Sequence, residues 1–492
     1  MKTKIIRLIC GVAAAVVAMG ALAFAFTGCG EDEVPERTSY VIDAELDVEN
    51  MTVTATESVH WVNTSDGGVT DVRFHLYPAA FREGAAHPAV EERYVSSAYP
   101  RGVDYGGISV SGVTVNGEVC DWSIGGSDED ILIVSVPELM PGESADIFLD
   151  FVLDLPQVRH RFGYYDGMVN LGNWYPVAAV RENGEWREDP YWSSGDPFLT
   201  DVADYEVSLT APTGWIVAGT GSVTTEVNGD STTTSFRASD VRDFALSASD
   251  KYTCLEGSAG DVTVRYYNAG DADAQSRLDL AVSAVQTFSD MFGDYAYDSL
   301  TVVRTPFVFG GMEYPQTVFV SDELDGELLN DAVIHEIAHQ WWYAAVGNDQ
   351  INDAWMDEGL AEYSATLFYE RTPDLGIDAS DRIADAMQSY VLYCELYSDR
   401  TGGDTSMDRG LGEYASSVDY NFHAYVKGEL FFDSLRHAVG DDDFFTALRS
   451  YYSSMTGEIA TPEDLVSCFE EASGMDLGSY VAGWVEGTVG LY

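Results

Sequence analysis

A chain of 492 residues with 46% hydrophobic and 12% aromatic residues is long enough for two or three domains with real cores, which excludes a disordered polymer. The formal net charge of −57 sets 82 acidic against 25 basic residues, and such a surface repels nucleic acid. Charge of this size speaks to solubility, or to a salt- or cation-rich medium, with steering of cationic peptides as the sharper alternative. The acidic runs Asp441-Asp442-Asp443 and Ser127-Asp128-Glu129-Asp130 lack the ligand spacing of a calcium loop and read as solvated turns.

The first 28 residues read as an export signal. Lys2, Lys4 and Arg7 precede an apolar run over 8–26, and small residues follow. The sequence Phe26-Thr27-Gly28-Cys29 then resembles a bacterial lipobox, which would make Cys29 a lipidated mature N-terminus and 29–39 a short tether. An uncleaved membrane anchor is the alternative. Both readings predict a membrane-anchored protein exposed at a bacterial cell surface. Of six cysteines, Cys10 falls in the signal and Cys29 in the lipobox. If any disulfide forms among the other four, Cys120, Cys254, Cys394 and Cys468, the more plausible pair is Cys394 with Cys468, because both fall in the helical last third. No CxxC is present, which argues against a cysteine metal site.

From Tyr40 to about Lys251 the apolar pattern has period two. Ile147, Leu149, Phe151, Leu153 and Leu155 alternate with acids, and 52–62, 131–136 and 205–210 behave alike between Gly, Asp and Asn clusters. This predicts an antiparallel β-sandwich or saddle-shaped sheet over 40–253. The character changes after about Thr253. A strand is expected at 262–267. Leu278, Ala281, Val282, Val285, Phe288 and Phe292 then recur at helical spacing before Gly293. Strands at 299–304 and 316–320 follow. Helices are predicted at 329–346, closed by Gly347, and at 354–371, with Asn352 or Asp353 as N-cap and Pro373 beyond. Further helices are expected at 379–397, 425–439, 443–455 and 462–472. A small sheet followed by helices makes 254–492 an α+β domain.

The chemistry lies in His335-Glu336-Ile337-Ala338-His339. Two histidines four apart on a helix project from one face, where a single Zn²⁺ can take both nitrogens. Glu336 follows the first of them and is placed to take a proton from water. A catalytic zinc wants a third protein ligand and an open position, and Glu358 on the next helix supplies the ligand. The bare pentapeptide also suits an amphipathic helix with histidines on its polar face. The helical context and the following carboxylate helix weigh against that.

These residues carry a resemblance. The run His335-Glu-Ile-Ala-His339-Gln-Trp-Trp, followed by Asn352-Asp-Ala-Trp-Met-Asp-Glu358-Gly-Leu-Ala-Glu-Tyr363, is similar to the M1 family of zinc aminopeptidases, gluzincins with HExxH, eighteen residues and Glu. Gly310-Gly311-Met312-Glu313-Tyr314 resembles the glycine-x-Met-Glu-Asn exopeptidase motif of that family. Tyr425-Val426-Lys427-Gly428 resembles its tyrosine-x-Lys-Gly segment, and Trp484 to Gly490 its Trp and Gly close. The resemblance implies a thermolysin-like, mostly helical catalytic domain with a small sheet behind the β-rich domain. It implies one zinc per chain on His335, His339 and Glu358, peptide substrates, and Glu336 as proton shuttle. It also implies that Tyr425 donates to the developing oxyanion and that Glu313 binds the free α-amine. Gly310 and Gly311 would admit the peptide backbone, Met312 would line the first side-chain pocket or take a plain core role, and Asp353 would orient a ligating histidine or simply cap its helix.

Two positions depart from the family pattern: Tyr314 stands for its Asn after the amine-binding Glu, and Asp357 for its Asn before the third ligand. The sequence also stops where the family's catalytic domain stops, so a site more open than in members with a C-terminal helical domain is expected. A thermolysin-type endopeptidase and a non-catalytic peptide-binding lipoprotein remain alternatives. Oligomeric state is not legible.

Overall fold

The computed structural model describes residues 37–401 and 403–488. The signal segment, Cys10, the lipobox with Cys29, and Gly490 lie outside the described residues. Period-two burial governs the first half. In Ser39–Asp47 the residues Tyr40, Ile42, Ala44 and Leu46 are buried, and Val41, Asp43 and Glu45 between them are exposed. This strand sits inside an eight-stranded sheet, in which Thr52–Val62 pairs antiparallel with it and with Ser144–Asp154. One pairing in the sheet is parallel, Ser39–Asp47 with Ala203–Pro212, where an antiparallel arrangement was expected. A long excursion separates those strands, so no hairpin dictates their direction. Two four-stranded sheets and the two-stranded pair of Arg181–Glu182 with Glu185–Trp186 complete this half, and the eight- and four-stranded sheets share one apolar core.

The second half opens with Thr253–Ala259, an edge strand of a five-stranded sheet. Val262–Asn268, Ser299–Thr305 and Thr317–Ser321 run parallel at its centre. The two-residue strand Gly311–Met312 pairs antiparallel along the other edge. Ala274–Phe292 is helical and buries the predicted apolar face, with Gly293 as its C-cap.

Three helices that carry site residues start or end elsewhere than expected. The predicted helix 329–346 is Gly326–Ala338, capped by His339. Trp341 and Trp342 are drawn into the core, and Tyr343, at φ 131°, turns the chain back so that the Ala344 amide donates to the His339 carbonyl at 2.9 Å. The helix expected at 354–371 spans Trp355–Arg371 with Ala354 as cap residue, so neither Asn352 nor Asp353 caps it; the Asn352 side chain bonds Asp349 instead, at 2.7 Å. The helix expected to begin at Tyr425 is entered earlier. Asn421–Lys427 forms a π-helical turn that runs into the α-helix Gly428–Val439.

All four cysteines among the described residues are free thiols, so the expected pairing of Cys394 and Cys468 is not formed. Their helices face different neighbours: Ala379–Thr401 packs on the π-helical turn, and Pro462–Ser473 on Asp441–Met455. Among the described residues no helix is long and apolar enough to cross a membrane.

Candidate active site

Two helices bring the predicted metal ligands together. Gly326–Ala338 carries His335 and delivers His339 at its end, and Trp355–Arg371 presents Glu358 from its first turn. The Nε2 atoms of His335 and His339 are 3.0 Å apart, and Glu358 Oε2 lies 3.3 Å and 3.2 Å from them. Ligands about 2.0–2.1 Å from one tetrahedral centre stand about 3.3 Å from each other, so this triangle fits zinc. Glu358 Oε2 is buried without an aligned hydrogen-bond donor, which leaves it available to a cation. The surroundings favour positive charge. Against the effect of burial, the Glu313 and Glu358 carboxylates push His339 up to about 10, and the facing histidines hold Glu358 at about 2.

Around this centre lies a cavity of about 670 Å³, lined by Gly310, Gly311, Glu313, Glu336 and Tyr425 as well as the three ligands. Burial pushes Glu336 up to about 7, with His335 and His339 opposing, and its Oε2 has no hydrogen-bond partner. A carboxyl poised near neutrality can both take and return a proton. Gly311 leaves room for Glu336, since a Cβ there would lie 2.3 Å from Glu336 Oε1 and 2.5 Å from its Cγ and would displace that side chain. Gly310 faces open space. Tyr425 stacks on the His335 ring, centroids 5.7 Å apart, and donates to Glu358 Oε1 at 2.5 Å. Its helix crosses the Glu358 helix closely, because Gly359 and Gly428 meet backbone to backbone; a Cβ on Gly428 would lie 2.7 Å from the Gly359 Cα.

Glu313 is buried, and burial followed by the Asp196 charge pushes its carboxyl well above the usual range. Gln340, next to the second ligand, clamps this segment by donating to the Tyr314 carbonyl at 3.1 Å. Strand alternation then separates the predicted neighbours. Met312 turns away from the cavity into the core of the β-rich half, so it does not line the cavity as expected. Tyr314 turns the same way, and its hydroxyl donates to Asn173 at 2.9 Å. A Cβ on Gly172 would strike that hydroxyl at 1.9 Å.

The orienting role expected of Asp353 falls to other groups. His339 Nδ1 lies 3.0 Å from the Trp342 carbonyl, which the turn after the shortened helix brings back. His335 Nδ1 lies 2.8 Å from Glu362 Oε2. Glu362 is one helical turn beyond Glu358, so helical spacing alone could have singled it out. Tyr420 was also missed, and donates to Glu358 Oε1 at 3.3 Å. Asp196, 2.7 Å from Arg161, lines the cavity from the β-rich half, and no local pattern marks it.

Residues 276–484 match the peptidase family M1 domain. Human aminopeptidase B is 30% identical over 174 residues, which are 34% of this chain and 26% of that protein. Aminopeptidase M1-A of Oryza sativa subsp. japonica is 24% identical over 391 residues, 73% of this chain and 42% of that protein. The chain therefore covers less than half the length of these relatives. An M1 zinc metallopeptidase of Deinococcus radiodurans shares the fold, with a TM-score of 0.66 at 19% identity over 92% of this chain and 94% of that one. A variant of that metallopeptidase has been crystallised with a Tyr-Ser-Ala substrate. The matched domain, the order of the motifs and the shared fold agree in likening residues 276–484 to the peptidase family M1 domain.

Proposed function

We propose that this protein is a zinc-dependent aminopeptidase that removes N-terminal residues from peptides. The observation that carries the reading is the buried Glu313 carboxylate in the same cavity as the His335, His339 and Glu358 triangle. Raised by burial, the Glu313 carboxyl is ionised by pairing with an incoming terminal ammonium, and that pairing beside a hydrolytic centre fixes which peptide bond is cut. The edge strand Gly311–Met312 just before it can pair with an extended peptide. Zinc, when bound, supplies Lewis acidity that polarises a carbonyl and acidifies water in its open position. Glu336 takes the proton of the attacking water and passes it to the leaving amine. The Tyr425 hydroxyl leaves Glu358 and donates to the carbonyl oxygen as negative charge develops there. The short peptide bound by the Deinococcus radiodurans relative is consistent with such a substrate.

One peptide assayed in free and N-acetylated form tests the reading. Cleavage of the free form alone is expected. Equal cleavage of both would favour an endopeptidase, and binding without cleavage a peptide receptor.

The same reading places the enzyme outside the cytoplasmic membrane on a lipid at Cys29, supported by the basic and apolar N-terminal sequence. Cys29→Ser should abolish incorporation of labelled fatty acid and move the protein to the soluble fraction. Unchanged membrane association would refute the anchor.

A further inference from the structure

Behind Glu313 lies a second layer of buried polar groups. Gln350 is 1% exposed. Its amide nitrogen donates to Glu313 Oε1 at 2.9 Å and to Asp357 Oδ2 at 2.7 Å. Asp357 also accepts from the Asn348 side chain at 3.2 Å. Between two carboxylate oxygens only the NH₂ end of the amide fits, so both of its hydrogens are spent on these acids. The Gln350 Oε1 is left buried without a partner, a state that normally costs stability. The arrangement therefore places two carboxylates on one amide at the expense of the amide's own oxygen.

We infer that Gln350 and Asp357 set how strongly this site prefers a cationic α-amine: Gln350 is a positioning residue that fixes Glu313 Oε1, and Asp357 holds the other hydrogen of the same amide from behind. Fixing Oε1 leaves the other Glu313 oxygen to the incoming ammonium, in one orientation. The Gln340 clamp on the Tyr314 carbonyl holds the backbone of the same residue pair, so carboxylate and main chain are fixed separately. A Glu313 oxygen held in one orientation favours an ammonium that pairs with it and does nothing for an uncharged acetamide. Asp357, read in the sequence only as a departure, thereby acquires a role in selection.

This inference rests on the aminopeptidase reading, and its test uses the same pair of peptides, free and N-acetylated, with zinc content measured for each protein. In Gln350→Met, KM for the free peptide should rise about 10-fold with kcat little changed. The kcat/KM of any residual cleavage of the acetylated peptide should stay as in wild type. Asp357→Ala, which removes the acceptor that holds the other hydrogen of Gln350, should raise the KM for the free peptide by a smaller factor. Two outcomes would overturn the inference: an equal drop for both peptides in either variant, or an unchanged KM for the free peptide in both. A wild-type enzyme that cleaves both peptides equally overturns the aminopeptidase reading itself, before any variant is made.

Discussion

Glu57 in the β-rich half and Glu358 in the catalytic half are both fully buried, yet they exist in opposite states. Glu57 takes an inward position of Thr52–Val62, between Ile42 and Leu149 of the adjacent strands, and neither carboxyl oxygen has a hydrogen-bond partner. Burial alone pushes it well above the usual carboxylate range, so it packs as a neutral acid. Glu358 meets two imidazoles on one oxygen and the phenols of Tyr420 and Tyr425 on the other. These hold it ionised at about 2 in spite of burial. Burial does not decide the charge of an acid; the donors built around it do, and only a surrounded acid is ready to hold a dication.

Glu336 stands between these extremes, with one orphaned oxygen like Glu57 and two facing histidines like Glu358. If its intermediate state is what catalysis uses, Glu336→Gln should lower kcat about 10³-fold, the range of a lost general base, with one zinc still bound per chain. Retained turnover at more than a tenth of wild type would remove Glu336 from the mechanism. Gly311→Ala tests the same carboxyl by displacement, since the added methyl must push the Glu336 side chain aside. A drop in kcat of about 100-fold with unaltered zinc content is expected.

The next test takes donors and acceptors away from the metal triangle without touching it. Glu362 faces His335 Nδ1 and lies 4.0 Å from Arg382, which in turn pairs with Asp331 at 3.2 Å. Glu362→Ala should weaken zinc binding about 10- to 100-fold, read by competition with a chelator, and Glu362→Gln should weaken it less. Equal affinity in all three proteins would show that His335 is oriented by packing alone.

The two halves were also unequally legible. Strand positions in the β-rich half followed from alternation, because each buried residue is marked by its exposed neighbours. The parallel pairing of Ser39–Asp47 with Ala203–Pro212 was not visible, since strand direction there depends on a crossover between distant segments. In the catalytic half the ligands and Glu336 were legible because their spacing is local. The end of the first ligand helix was not. Trp341 and Trp342 fit a helical pattern, but tertiary burial and the turn at Tyr343 override it. That turn supplies the Trp342 carbonyl to His339, so the misread boundary and the misassigned orienting group have one cause. Gln350, Asp196 and Tyr420 act through contacts between segments, and no periodicity encodes those.

The smallest expected effect isolates the neutral acid. A carboxyl with a folded-state pKa above its unfolded value of 4.5 adds stability that is complete below that value and is lost as pH rises through the folded pKa. Glu57 should therefore make the wild-type protein less stable with rising pH, by up to about 1.4 kcal/mol per pH unit where only the unfolded chain is ionised. Asp243 acts in the same direction. Burial pushes it up to about 7, opposed by hydrogen bonds from Phe244, Tyr175 and Asn173, so its contribution fades above neutrality. Glu57→Gln keeps the shape and cannot ionise. Urea midpoints at pH 5, 7 and 9, with zinc saturating, should fall with pH in the wild type and fall less in the variant. Parallel slopes would mean that Glu57 stays ionised in the fold through a partner brought in by local opening. The contrast with Glu358 would then be one of degree.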